Sequence, residues 1–517
     1  MPATNPDTTS ENPGFYALAL QDPQRVAFIG PQGEETTFGE LGAQVNRISH
    51  GLRALGVGKE DMVAILVHNG REYIELALAT IQLGAYIVPI NTHLAPPEVA
   101  YIVKDSTAKV LVAHSDLAGH LHSEIGGLPA HRYAIGDEVE GWQPYPELWS
   151  GRPEDQPGDR VMGAIMNYTS GTTGRPKGVR RPLSGLSPEQ EAPLASKHFY
   201  TLGFRKQGVH LVCSPLYHAA PGAFAINALH LGHTVVCHLK FDAEAVLRAI
   251  ERYKVTTSHM VPTHFHRMLR LPEEVRLRYD VSSLDSLIHA AAPCPVEVKK
   301  QMMEWVGPKL YEYLAATEGG MSQVTPEEWL AKPGTVGRPQ PGTTLRIVGE
   351  NGEEVPDGEP GTIYFSNAGQ AFEYYNDPGK TAAARLDGMS TVGDFGYLDE
   401  DGYLFLLDRR TDLIISGGVN IYPAEIEQFL ITHPSVQDIA VIGVPDPDWG
   451  QSVLAIVQPS PGVEAGEGLA EKLRAYCAEG LASYKRPRRF DFREDFPRTE
   501  AGKLQRRKLR DEYVDNN

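Results

Sequence analysis

Apolar residues along the first third of the chain recur with two alternating periods. Leu41, Val45, Ile48, Leu52 and Leu55 step by four and three residues, which puts them on one face of a helix, and Gly56 follows as its stop. Residues 62–67 form an unbroken apolar run that predicts a buried strand. The pattern then predicts a helix over 71–83, a strand over 86–90, a helix over 97–104 and a strand over 110–113. Alternation of this kind predicts α/β layers with largely parallel sheets.

Further on, the punctuation changes. Segments 151–159 and 180–196 are rich in Pro and Gly and read as surface loops. Segments 334–342 and 351–361 are turn-rich, as a β-rich region requires. After Asp408 the pattern predicts a helix over 422–431, strands over 439–443 and 453–457, and a helix over 469–481. That succession reads as a small α+β unit. The chain shows no internal repeat and no low-complexity tract.

Length and charge narrow the picture. The chain has 517 residues, more than one core organises, since single cores stop growing near ~250–300 residues. Apolar residues make up 41% and charged residues 22%, as in ordinary globular proteins. A net charge of −18 argues against nucleic acid as a partner, although residues 485–489 form a local basic patch. The cysteines Cys213, Cys237, Cys294 and Cys477 lie far apart, with no metal-binding spacing, and read as buried small hydrophobes. The polar N-terminus lacks a signal-peptide pattern, and the most apolar long window, 76–90, is too short to span a membrane. A cytoplasmic protein is the expectation; oligomeric state is open, a dimer included.

The segment Tyr168-Thr-Ser-Gly-Thr-Thr-Gly-Arg-Pro-Lys-Gly178 carries the most chemistry. It follows a short apolar run consistent with a strand. Gly171, Gly174 and Gly178 let backbone amides approach an anion, Thr169, Ser170, Thr172 and Thr173 offer hydroxyl donors, and Lys177 adds positive charge. It is not the Walker loop of ATP-hydrolysing motors, because only two residues separate Gly171 from Gly174. The string resembles the signature loop of the adenylate-forming superfamily, which includes acyl-CoA synthetases, luciferases and peptide-synthetase adenylation domains. In that family the loop holds the β- and γ-phosphates of ATP.

Other segments resemble the family's motifs in the family's order, so the resemblance covers nearly the whole chain. Leu314-Ala-Ala-Thr317-Glu318 resembles the segment whose Glu binds Mg²⁺ and whose Thr contacts the adenylate; Thr173 is a second candidate at the metal. Leu314 and Ala315 replace the usual aromatic-Gly start beside the acyl pocket. The segment 289–293, with Ala291 and Ala292, resembles the wall against which adenine packs. His218, in Pro-Leu-Tyr-His, resembles the His near the substrate carboxylate; His264 and His266 are further candidates on the acyl side and are not a metal pair. Asp394 and Arg409 match the ribose contacts. Gly418 matches the loop lining the pantetheine tunnel, and Trp449, Tyr484 and Arg486 resemble positions that contact CoA. Lys503, in Gly-Lys-Leu, matches the Lys that bridges acid and α-phosphate.

The resemblance implies a large N-terminal region of mixed sheets and helices, residues 1–408, and a small mobile α+β lid, residues 409–517, hinged near Thr411. It implies an enzyme that uses ATP, Mg²⁺ and CoA to convert a carboxylic acid, fatty or otherwise lipophilic, into its acyl-adenylate and then its acyl-CoA. A carrier protein or an amine is the alternative acceptor. Phe224, Leu314 and Ala315 form the apolar set expected to favour a lipophilic acid.

Overall fold

The computed structural model of the chain describes residues 13–169, 176–292, 294–316, 318–349, 351–367, 372–409, 412–416, 419–446, 449–498 and 504–514. Two compact units are present. One comprises Met1–Met260, Arg270–Ile288 and Gly369–Ala383; the other comprises Val261–Leu269, His289–Ala368 and Ala384–Asn517.

The first unit is built as the apolar periods predict. Helix Phe38–Ala54 buries Leu41, Val45, Ile48 and Leu52, and its start is locked by a capping box between Thr37 and Glu40. One sheet has the strand order Gln143–Pro144, His131–Ile135, Val110–His114, Met62–Leu66, Tyr86–Pro89, Ala164–Ile165, all parallel. All five residues of Met62–Leu66 are buried, because a parallel strand is covered on both faces. Val209–Val212 is flanked in parallel by Thr234–Cys237 and Thr257–Met260 in a second sheet. A short antiparallel sheet joins Asn167–Thr169, Lys177–Arg180 and Glu373–Tyr374.

The second unit is mostly antiparallel. Gly361–Asn367 lies between Thr343–Val348 and Asp394–Leu398, and the latter pairs with Leu404–Arg409. Toward the C-terminus, Val436–Asp446 and Gly450–Pro459 form a long hairpin, with Arg489–Phe492 added in parallel and Ile414–Ser416 joined at Gly450. Alternation along Val436–Asp446 divides two cores. Ile439 and Val441 face helices Pro423–Leu430 and Glu467–Gly480 through Ile426, Leu430, Leu469, Leu473 and Cys477. Ala440 and Ile442 face Phe496 and Leu509, the latter on helix Arg506–Val514.

The mixed α/β class expected from the sequence is observed. One expectation fails: residues 180–196 are not all loop, since helix Pro188–Thr201 begins within them. The helix holds two prolines, Pro188 at its start and Pro193 within it. Pro188 occupies the first helical turn, where its missing N–H is harmless, and Ser187 with Gln190 forms a capping box. All four cysteines are buried and free, as expected. Among the described residues no helix is long and apolar enough to cross a membrane.

Candidate functional site

The Gly/Thr-rich loop is rooted in a hairpin. Thr169 and Lys177 are direct cross-strand partners where Asn167–Thr169 runs antiparallel to Lys177–Arg180. Tyr168 pairs with Gly178, where an added Cβ would lie 3.1 Å from the Tyr168 ring, so only glycine fits without displacement. Tyr168 donates its hydroxyl to Asp105 at 2.8 Å. The Lys177 ammonium lies 3.3 Å from the Asp377 carboxylate. Partial burial is the largest single influence on Lys177 and pulls its pKa down, but the bond and charge of Asp377, together with Tyr101 and Asp105, outweigh that and raise it, so the side chain stays charged. Asp377 in turn accepts from the Lys380 amide at 2.9 Å, which, with Lys177, holds its carboxyl below the usual range. Ser170, Gly171, Thr172, Thr173 and Gly174 lie outside the described residues.

Glu318 sits at the tip of a tight hairpin. Strands Leu310–Ala316 and Gly319–Val324 pair up to Ala316 opposite Gly319, with Glu318 in the turn between them. Glu318 is largely buried, at 9% exposure; Thr317 is outside the described residues. Gly320 has φ +74°, and a Cβ there would fall 2.3 Å from the Phe365 ring, so the tip is shaped around a glycine. Leu314 packs on the core formed by Val336, Leu345 and Phe365, while Ala315 is exposed. Among the described residues no group of three His, Cys, Asp or Glu could hold a metal.

Two backbone features mark further positions. Ala291 follows strand Ser286–His289 and has φ +74°, a left-handed conformation that costs a non-glycine residue roughly 1–2 kcal/mol. Strain of this sort persists where surrounding structure enforces it, often at ligand clamps. Ala291 is exposed and Ala292 half-buried. His218 is the N-cap residue of helix Ala219–His230, with its ring 4.5 Å from that of Tyr217. Burial pushes its pKa down to about 4, so the imidazole is neutral near pH 7, and its Nε2 has no hydrogen-bond partner among the described residues. His264 is buried, and His266 hydrogen-bonds to the Gln437 carbonyl at 2.9 Å. Phe224 packs 4.7 Å from His259 and 4.8 Å from Phe199.

Asp394 and Arg409 are brought directly opposite each other in the antiparallel ladder, although fourteen residues separate them in the chain. The C-terminal candidates have mixed settings. Trp449 is 46% exposed, with the Arg488 guanidinium 4.6 Å above its ring. Tyr484 is 51% exposed, with the Lys485 ammonium 5.6 Å from its ring. Arg486 caps helix Glu467–Gly480 instead, donating to the Leu481 carbonyl at 2.8 Å and the Ala478 carbonyl at 3.1 Å. Thr411, Gly418 and Lys503 lie outside the described residues.

Comparison with known proteins places this arrangement. Residues 15–375 match the AMP-binding enzyme family, and residues 425–503 match the AMP-binding enzyme C-terminal domain. The chain belongs to the AMP-binding enzyme family. It is similar to the feruloyl-CoA synthase of Amycolatopsis sp, with 35% identity over 92% of this chain and 94% of that one. It is similar also to the fatty acid–[acyl-carrier-protein] ligase ScoC of Streptomyces coeruleorubidus, with 31% identity over 93% of this chain and 92% of that one. Among solved structures, the anthranilate CoA ligase AuaEII in complex with anthranoyl-AMP aligns with a TM-score of 0.86 and 27% identity, over 97% of this chain and 98% of that one. The relatives are acyl-CoA ligases and related adenylate-forming enzymes, as the sequence motifs imply.

Some residues of this AMP-binding enzyme were not singled out by the motifs. Asp377 is 200 residues from Lys177, and no local pattern links them. Arg488 carried a signal, since it lies within the basic patch 485–489, but its stacking on Trp449 depends on the strand Arg489–Phe492 joining Gly450–Pro459.

Proposed function

We propose that this enzyme uses ATP to activate a carboxylic acid, fatty or otherwise lipophilic, and passes the acyl group to coenzyme A. In the first half-reaction a carboxylate oxygen attacks the α-phosphate, the bond to the bridging oxygen breaks, and pyrophosphate leaves. In the second, the CoA thiolate attacks the acyl carbon and AMP departs with the oxygen that bridged the two. The observation that carries the reading is a pair of registers. Thr169 and Lys177, assigned to the phosphates, are cross-strand partners, and so are Asp394 and Arg409, assigned to the ribose.

In this reading Thr169 to Gly174 and Lys177 hold the β- and γ-phosphates. Ala291 and Ala292 lie against adenine, and the Asp394 carboxylate accepts from the ribose hydroxyls beside Arg409. His218, neutral because it is buried, contacts the substrate carboxylate without adding charge. Lys503 bridges the carboxylate and the α-phosphate as charge develops, an electrostatic and orienting role. Magnesium would be held through one or two carboxylates and the substrate phosphates, a mode that one largely buried acid at a hairpin tip, Glu318, fits; Thr173 is the second residue assigned to it. When bound, the ion supplies neutralisation of phosphate charge. Residues 409–517 then act as a lid turning about Thr411, withdrawing Lys503 and presenting the Gly418 loop, while Trp449, Tyr484 and Arg486 meet CoA.

A carrier protein is the second reading. Arg486 spends donors on helix carbonyls, which leaves fewer for a CoA phosphate, and ScoC by its name is a ligase to a carrier protein. The test is incubation with ATP, Mg²⁺ and a panel of acids, with either CoA or an acyl-carrier protein, and mass analysis of the thioester. An acyl-CoA supports the first reading. A thioester on the carrier alone replaces CoA by the carrier, and ADP as the nucleotide product overturns both.

A further inference from the structure

Behind the candidate adenine wall lies a group of charges that none of the roles above uses. Lys299, on helix Val296–Val306, is fully buried and donates to Glu312 Oε2 at 2.7 Å. The same oxygen lies 3.5 Å from His289 Nε2, and His289 is fully buried too. The Lys299 ammonium also sits 4.8 Å from the ring centre of Trp329, which is 1% exposed. Phe265 meets the His289 ring edge-on at 5.3 Å. Burial pushes the Glu312 carboxyl up, and Lys299 opposes that shift.

The network joins two segments that matter to the nucleotide. His289 ends strand Ser286–His289 and is followed at once by Ala290, Ala291 and Ala292, where Ala291 holds its left-handed φ of +74°. Glu312 lies in strand Leu310–Ala316, whose far end is the hairpin tip carrying Glu318. One carboxylate oxygen therefore sits 3.5 Å from the ring at the root of the adenine wall and belongs to the strand that presents the acidic tip. Energetics give a reason to look beyond stability. Removing two charges from water costs several kcal/mol per ion, and replacing such a pair by apolar residues is often neutral or stabilising. A buried pair kept at a junction suits geometry better than it suits stability.

We propose that Glu312, held by Lys299, is a positioning residue for the nucleotide: it sets His289 and with it the 290–292 segment against which adenine packs. This rests on the reading of 290–292 as the adenine wall. The chemistry predicted is selective. Loosening the network weakens ATP binding and lets a different base compete, while the carboxylic-acid side of the reaction is untouched.

The experiment compares three variants with the unmodified enzyme, reading KM for ATP, the preference for ATP over GTP, KM for the acid, and melting temperature. Glu312→Gln breaks the charge pair and is expected to raise KM for ATP roughly tenfold to a hundredfold, with reduced ATP preference and an unchanged KM for the acid. Because that variant leaves Lys299 buried and alone, the double change Lys299→Met with Glu312→Leu is the decisive one. It is expected to melt at or above the temperature of the unmodified enzyme and still show the ATP defect. A double variant with restored stability and ordinary ATP binding and base preference would overturn the proposal and leave the pair a packing element. Ala292→Leu separates the two layers of the argument. If it leaves KM for ATP unchanged, the adenine-wall reading itself fails. If it raises that KM while the double variant does not, only the positioning role of Glu312 is lost.

Discussion

The parallel sheet of the first unit and the antiparallel ladders of the second divide the work differently. Strands Met62–Leu66, Tyr86–Pro89 and Val110–His114 are almost wholly buried, and no candidate for the chemistry lies within them. The candidates lie where backbone turns or ladders end. Thr169 and Lys177 pair at the ends of two strands, Glu318 is at a hairpin tip, Ala291 follows a strand end, His218 begins a helix, and Asp394 is opposite Arg409 at the end of a ladder. A strand covered on both faces has its side chains committed to packing, whereas a tip or ladder end sets polar groups at the edge of the scaffold. The prediction that follows is a separation of effects: scaffold changes alter stability, and tip changes alter catalysis.

The largest catalytic effect is expected at Lys503. Lys503→Ala should slow adenylation by roughly a hundredfold or more, the scale of losing one transition-state donor, and leave thioester formation from supplied acyl-AMP largely intact. Equal loss in both half-reactions, measured separately, would remove the proposed division of labour. On the scaffold side, fully buried Leu111→Ala should cost about 2–5 kcal/mol in chemical denaturation and leave KM for ATP unchanged. Asp394→Ala should do the opposite, weakening ATP binding by about 1–3 kcal/mol, the desolvation left by a lost partner, with little change in melting temperature. Calorimetric titration with ATP distinguishes these.

Smaller effects come from charge. His218, His230 and His233 are pushed by burial down to about 4, and His259 down to about 3, against an ordinary 6.5. All four belong to the first unit. The folded rings resist protons that the unfolded chain accepts, so their stabilisation is complete above 6.5 and is lost as pH falls from there through about 4. Melting temperature should therefore drop progressively over that window; a flat profile would contradict the burial of these rings. Smallest of all, Asp377→Asn removes the partner of partly exposed Lys177 and should leave the melting temperature nearly unchanged.

Much of the fold was legible because period and burial coincide. Helix Phe38–Ala54 and strand Met62–Leu66 bury the residues their patterns mark. The strands of the long hairpin were read short. Residues 439–443 carry the apolar signal, but the strand extends over Val436–Asp446, past a bulge at polar Gln437 and through paired Asp438, which no apolar run reveals. Helix Pro188–Thr201 was hidden by prolines that in sequence mark a loop; in place Pro188 opens the helix and Pro193 lies within it. In the site, the motifs name Asp394 and Arg409 but only the ladder register sets them opposite each other. Asp377, Lys299 and Glu312 were invisible, because ion pairs across many residues leave no local pattern.

The central claim is attack of a carboxylate on the α-phosphate, and oxygen tracing tests it directly. A substrate acid with both carboxyl oxygens replaced by ¹⁸O is turned over with unlabelled ATP, Mg²⁺ and the thiol acceptor. The account predicts AMP carrying one ¹⁸O atom, delivered when the mixed anhydride is broken at the acyl carbon. Unlabelled nucleotide together with ¹⁸O in inorganic phosphate would mean attack at the terminal phosphate and would contradict it.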